Sequence, residues 1–189
     1  MKNSKVILAS VVVFLILICL AFFSGPDQAR AQTTFTNKNV SVVLPPGWRA
    51  KNYGDNISMA PPKLHFMFGL SVTKANGGTT EQIIEESYQQ FSDVFKKVEK
   101  HMEGPNWVFE MEDEPDEDGE GLVRMLISPV HSNYFVSMMM SNYQKPGDYS
   151  VYETDEIRGI INSLKSSDPD EQSSIENFRK LNPLLKNGG

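Results

Sequence analysis

Cysteine is almost absent from this chain of 189 residues, in which Cys19 is the single example. Because Cys19 lies in an apolar run near the N-terminus, the rest of the chain has no thiol for disulfides, nucleophilic catalysis or metal binding. Histidine is scarce too, and the spacing of His65, His101 and His131 matches no local metal motif. Acidic residues outnumber basic ones by 24 to 18, and the net charge of -6 argues against nucleic-acid binding.

Motifs for the common enzyme chemistries are missing as well. The chain has no Gly-x-Ser-x-Gly elbow, no Walker loop and no dinucleotide-binding glycine motif. Ser128 is a lone hydroxyl three residues before His131, and nothing signals the acid and the oxyanion hole that a serine hydrolase needs. We therefore expect a protein without enzymatic activity and without a cofactor.

The first 31 residues have the pattern of a targeting segment. Lys2 and Lys5 precede an apolar run over residues 6–23, and Ala29-Arg30-Ala31 follows it. A basic start, an apolar run and an Ala-x-Ala motif are typical of a secretory signal peptide, but the run is also nearly long enough to span a membrane. We expect either cleavage after Ala31 or an uncleaved inner-membrane anchor through residues 6–23. Both alternatives place residue 32 onward outside the cytoplasm, in the periplasm or beyond.

Alternating apolar residues predict strands, and apolar residues at spacings of three and four predict helices. The predicted strands cover residues 40–44, 56–60, 65–73, 107–111, 122–127 and 134–140. The predicted helices cover residues 79–102 and 152–166. The first begins at a capping box formed by Thr79 and Gln82, and its apolar stripe extends as far as Met102.

This order of elements predicts an α+β fold with a mostly antiparallel sheet of five or six strands flanked by two helices. Residues 32–37 form a short lead, and residues 38–167 form the domain. Residues 168–189 are polar and contain few residues to bury, so we expect a mobile C-terminal tail with at most a short amphipathic turn around residues 175–185.

The segment Val40-Ser41-Val42-Val43-Leu44-Pro45-Pro46-Gly47-Trp48 resembles the first strand and turn of the PsbP-like superfamily. The final helix, with Ile160-Ile161-Asn162-Ser163-Leu164, resembles the way those domains close, so the resemblance covers residues 38–167. It implies an α/β/α sandwich and an exported accessory protein. The superfamily has no shared catalytic motif, so the resemblance assigns no functional residue.

An acidic hairpin is the most unusual local feature of the sequence. Residues 112–120 contain seven carboxylates around Asp118-Gly119, which is a strong hairpin signal. An EF-hand is excluded, because Met125 occupies the position that needs a bidentate glutamate. A looser calcium site at Asp113, Asp116, Asp118 and Glu120 is one interpretation, and a solvated tip whose charges prevent edge pairing is the other.

Met138, Met139 and Met140 form a run that could suggest a copper(I) site. Consecutive side chains of a strand point to opposite faces, however, so we expect these residues to pack in the core instead.

These observations lead to one main functional hypothesis and one alternative. The main hypothesis is an exported, non-catalytic accessory or chaperone-like protein of the cell envelope that binds a protein partner. The alternative is a module that binds a small ligand or calcium weakly through the acidic hairpin. Neither involves nucleic acid, and the membrane is involved only through residues 6–23 if these are retained.

Overall fold

The computed structural model describes residues 32–63, 66–112, 121–142, 147–150 and 154–182. Ten strands and three helices lie within these ranges. In chain order they are β1 (Thr33–Asn37), β2 (Val40–Leu44), β3 (Arg49–Tyr53), β4 (Asn56–Ala60), β5 (Phe66–Lys74), α1 (Thr80–Ser92), β6 (Lys97–Glu103), β7 (Asn106–Glu112), β8 (Leu122–Ile127), β9 (Tyr134–Asn142), α2 (Asp155–Ser163), β10 (Lys165–Ser166) and α3 (Pro169–Leu181).

The strands of the described residues form two antiparallel sheets. The larger sheet has seven strands in the order β3-β4-β5-β9-β8-β7-β6, and the smaller one has the order β1-β2-β10. The α+β class and the large antiparallel sheet agree with the sequence prediction, whereas five or six strands and two helices were too few. Strands β1, β3, β6 and β10 were not predicted.

The core lies on both faces of the larger sheet. Met139 packs in one cluster with Ile84 and Phe91 of helix α1. Met138 and Met140 pack in the other cluster, which includes side chains of β2, α2 and α3. The prediction that the consecutive methionines point to opposite faces and pack in the core is thus confirmed.

Helix α1 begins as predicted but ends much earlier. The Thr79 hydroxyl accepts a hydrogen bond from the Gln82 backbone N–H, and the Gln82 side chain accepts one from the Thr79 N–H, which completes the capping box. The helix stops at Ser92, and residues 97–103 form strand β6 instead of its last turns. The prediction of one helix as far as Met102 was therefore wrong. Val98 and Met102 are four residues apart, and this separation places two side chains on the same face of a helix and also on the same face of a strand.

Helix α3 replaces most of the expected mobile tail. The Asp168 side chain accepts hydrogen bonds from the backbone N–H groups of Asp170 and Glu171, and Pro169 occupies the first turn. Ile175 and Phe178 are fully buried against the sheet. These two buried apolar side chains and the N-cap hold α3 against the sheet, although most residues of the helix are polar.

Arg179 joins α3 to the end of α2. Its guanidinium donates hydrogen bonds to the carbonyls of Ile161, at 3.1 and 3.3 Å, and of Leu164. The Ile161 carbonyl lies in the last turn of α2 and also accepts the backbone N–H of Leu164, the C-cap residue, so Arg179 adds donors at the end of the helix where carbonyls lack their usual partners. Burial lowers the pKa of Arg179, and the charge of Glu176 partly opposes this.

The turn that carries the family resemblance closes one corner of the domain. The Trp48 backbone N–H donates to the carbonyl of Pro45 at 3.2 Å, and Gly47 has a φ of +80°. The Trp48 ring is buried edge-on against Phe66, with 5.8 Å between ring centroids. The segment therefore packs a corner of the domain through the Trp48 ring.

The expected signal peptide or anchor, residues 1–31, lies outside the described residues. Within the described part of the chain, every helix is too short or too polar to cross a bilayer.

Candidate functional site

A charged groove lies on one face of strands β6, β7 and β8, beside the segment 147–150. It encloses about 230 Å³. Its lining residues come from three strands and one loop: Lys97, Glu99, Glu110, Met111, Glu112, Leu122, Arg124, Gly147 and Tyr149. We call this surface the charged groove.

Strand pairing places the charges of the groove in rows across the sheet. Glu99 lies directly opposite Glu110, and Glu110 lies directly opposite Arg124. The two facing carboxylates repel each other, so each has a cation beside it. Lys97 lies 2.8 Å from Glu99, and Arg124 lies 3.5 Å from Glu110.

Arg124 is the central cation of the groove. Its side chain is only 18% exposed, and it forms a second ion pair with Glu103. The Arg124 Cζ atom lies 5.3 Å from the centroid of the Tyr149 ring, within the range of a cation–π contact. Burial raises the pKa of the Tyr149 hydroxyl, the charge of Glu110 raises it further, and Arg124 partly opposes both. Tyr149 is therefore a neutral phenol at physiological pH.

Two carboxylates of this surface, Glu99 and Glu103, have neighbours that favour their ionised form. The hydrogen bond and charge of Lys97 lower the pKa of Glu99. Partial burial raises the pKa of Glu103, but the hydrogen bond from His101 and the charge of Arg124 outweigh burial, so the net shift is downward. A general acid at neutral pH needs a raised carboxyl pKa. The lowered pKa values of Glu99 and Glu103 suit these two carboxylates to pairing with cations and hydrogen-bond donors.

The four candidate calcium ligands, Asp113, Asp116, Asp118 and Glu120, lie outside the described residues. The strands that flank them do form the expected antiparallel pair, with Glu112 opposite Leu122. Glu112 and Leu122, which flank the acidic segment in the sequence, both line the charged groove. Among the residues that the structure describes, no three histidine, cysteine, aspartate or glutamate side chains are grouped so as to hold a metal ion.

His101, His131 and Ser128 lie within the described residues, and His65 lies outside them. His101 is an exposed residue of β6 and not of the helix predicted over residues 79–102, because that helix stops at Ser92. The Nε2 atom of His131 lies 3.1 Å from the Ser173 hydroxyl of α3. Ser128 follows the last residue of β8 and is buried, and its hydroxyl accepts a hydrogen bond from the Val136 backbone N–H at 2.9 Å.

Sequence reasoning missed the charged groove because it assigned β6 to a helix. The signal that could have found it is Gly104-Pro105, which separates two runs of seven residues and is typical of a hairpin turn. Reading that turn first pairs β6 with β7 and places Glu99 beside Glu110.

Comparisons with known proteins give weak matches. No family model matches the chain, and no curated protein matches it. The chain is similar to a crystal structure from Bacteroides thetaiotaomicron VPI-5482, at 13% identity and a TM-score of 0.42, over 72% of this chain and about half, 48%, of that one. It is also similar to the solution structure of cyanobacterial PsbP (CyanoP) from Synechocystis sp. PCC 6803, at 9% identity and a TM-score of 0.39, over 78% of this chain and 99% of that one. A PsbP structure is thus among the matches, as the sequence resemblance predicted.

Proposed function

We propose that this chain is a non-catalytic accessory protein of the cell envelope that binds a protein partner through the charged groove. The observation that supports the proposal most directly is the Arg124–Tyr149 pair, set among carboxylates on a partly exposed sheet face. Arginine and tyrosine are enriched at protein interfaces, where they combine apolar area with hydrogen bonding.

The charge of the surface indicates the chemistry of the partner. Four glutamates of β6 and β7 (Glu99, Glu103, Glu110 and Glu112) surround Lys97 and Arg124, and the adjoining segment 113–120 adds six carboxylates. The whole chain is acidic as well. A partner that presents lysine or arginine side chains is therefore attracted over a distance and paired at contact.

A site-specific cross-linking experiment tests this proposal. A photo-reactive amino acid replaces Glu112 at the mouth of the groove, and a control replaces Glu86 on the exposed side of α1. After irradiation in the native host, we expect one defined companion to be cross-linked from position 112 and not from position 86. Glu112→Lys in a second experiment is expected to abolish co-purification of that companion, whereas Glu86→Lys retains it. Equal yields from both positions, or no companion at either, would contradict the proposal.

Calcium binding by the acidic segment is the second candidate function. It is supported by the seven carboxylates of residues 112–120 and by the position of Glu112 at the edge of the groove. A bound cation stabilises the folded state by about 2.7 kcal/mol at a hundredfold excess over its Kd. The test is a thermal melt of the chain at rising calcium concentration, with magnesium as the control. An unchanged melting temperature at millimolar calcium would rule this function out.

A further inference from the structure

Strand β6 is an edge of the larger sheet. Within the described ranges it pairs with β7 alone, so the other side of its backbone is open. Such an edge can accept another strand. The two large apolar side chains that are exposed among the described residues are also here: Met102 in β6 is 56% exposed, and Val94 just before it is 44% exposed.

The sequence of β6 is complementary to itself when two copies run antiparallel. Pairing about Lys100 places Lys97 opposite Glu103, Val98 opposite Met102, and Glu99 opposite His101 of the second copy. Residues directly opposite in an antiparallel pair share one face of the sheet. We propose that a second copy of this chain docks here, with the two β6 strands joined about a two-fold axis at Lys100 to give one continuous sheet.

At the axis Lys100 faces Lys100 of the second copy, which is the one pair of like charges in this register. Contacts within each copy already neutralise the charge of this lysine. Lys100 lies 2.5 Å from the Glu85 carboxylate of α1, and its ammonium is 4.3 Å from the centroid of the Tyr88 ring. Both partners belong to the same copy as the lysine. Each ammonium is therefore drawn toward its own helix, and the two positive charges do not meet unpaired at the axis.

The neighbouring registers are less favourable. An axis at Glu99 pairs that glutamate with its own copy and sets Lys97 against His101. An axis at His101 sets Glu99 against Glu103 and Lys100 against Met102. The Lys100 register is the one that uses all seven residues and pairs opposite charges at both ends of the strand.

Intrachain ion pairs are compatible with this interface. Lys97 contacts Glu99, and Glu103 contacts Arg124, all on the face that carries the charged groove. Bringing Lys97 of one copy opposite Glu103 of the other extends these two pairs into one network across the axis, and networks contribute more than isolated surface pairs.

A single-cysteine experiment tests the register. In the full-length chain carrying Cys19→Ser, Lys100→Cys places two thiols opposite each other at the axis. Opposed Cα atoms lie about 4.5–5.5 Å apart, within the range that a disulfide spans. We expect mild oxidation to give a covalent dimer with Lys100→Cys and not with Glu99→Cys or His101→Cys. Preferred linkage at either neighbour, equal linkage at all three, or no linkage would overturn the proposal.

Charge-reversal variants test the same interface without cysteine. Lys97→Glu sets two carboxylates against each other at both ends of the interface, and Glu103→Lys sets two ammonium groups against each other. Each variant alone is expected to self-associate at least about tenfold more weakly in sedimentation, because two symmetry-related pairs become repulsive. A mixture of the two variants is expected to recover association, since every opposed pair is then complementary.

The recovery in the mixture separates lost association from lost folding. Lys51→Glu makes the same charge change on β3, the other edge of the sheet, and is expected to leave association unchanged. The proposal would be overturned if the wild-type chain is monomeric at hundreds of micromolar, or if the mixture of variants stays monomeric. Either result would show that the charges of β6 prevent the edge strand from pairing with another strand.

Discussion

Replacing Phe178 by alanine tests whether helix α3 belongs to the core. The Phe178 ring is fully buried in the cluster that contains Ile175 and side chains of α2 and the sheet. Truncating a buried phenylalanine to alanine costs about 3–5 kcal/mol, because transfer free energy is lost and a cavity remains. Folded domains are stable by only about 5–15 kcal/mol, so we expect Phe178→Ala to remove a large fraction of the stability.

Urea unfolding followed by tryptophan fluorescence measures this effect. Trp48 packs in the same cluster as Phe178, whereas Trp107 packs against the cluster on the other face of the sheet. Variants that keep one tryptophan at a time report the two clusters separately, and we expect both transitions to shift together. Glu176→Ala, at an exposed position of the same helix, is the control. A loss below about 1 kcal/mol for Phe178→Ala would refute the reasoning, since a cavity in a packed core costs more than that.

Three further predictions concern single residues. Gly47→Ala is expected to lower the free energy of unfolding in urea by about 1–3 kcal/mol, and by more than Gly54→Ala does. Both glycines have positive φ, but a Cβ at position 47 would lie 2.7 Å from the Pro62 ring, whereas no atom lies within 4 Å of a Cβ at position 54. Ser128→Ala is expected to cost about 1–3 kcal/mol in the same assay, because a buried strand N–H loses its acceptor. The pKa of Glu103 is lower in the folded state than in the unfolded state. Ionised Glu103 therefore stabilises the fold fully above its unfolded pKa of about 4.3, and this stabilisation is lost as the pH falls through the folded pKa. Between about pH 7 and pH 3 we expect the urea midpoint of Glu103→Gln to fall less steeply than that of the wild type.

The central strands were predictable because their patterns are simple. Strands β2, β4, β5, β8 and β9 have alternating or continuous apolar residues between turn signals, and the structure has strands at those places. Strand β3 was missed because it lies at the edge of the sheet, where Lys51 and Asn52 face solvent and leave no apolar pattern. Edge position removes the burial that produces the pattern.

Helix α3 and the candidate site were missed for a different reason. Helix α3 is held by Ile175, Phe178 and Arg179, and the contacts of these residues lie in other elements, namely the end of α2 and the sheet. The charged groove requires knowing that β6 pairs with β7, and its central cation, Arg124, comes from the predicted strand β8 without any local sign of a role. The pattern of apolar residues in a segment indicates which of its side chains are buried. It does not indicate which segments tertiary contacts bring together.

The pairing of β5 with β9 has a consequence for the order in which the chain folds. From β6 to β9 each strand pairs with its neighbour in the sequence, so these four strands form a meander with short connections. Strands β5 and β9 are nine residues long, and their pairing joins the two halves of the larger sheet across a long stretch of intervening chain. Closing a long loop costs entropy before its contacts form, and non-local pairing slows folding. We therefore expect the meander from β6 to β9 to form early and the β5–β9 pairing to form later.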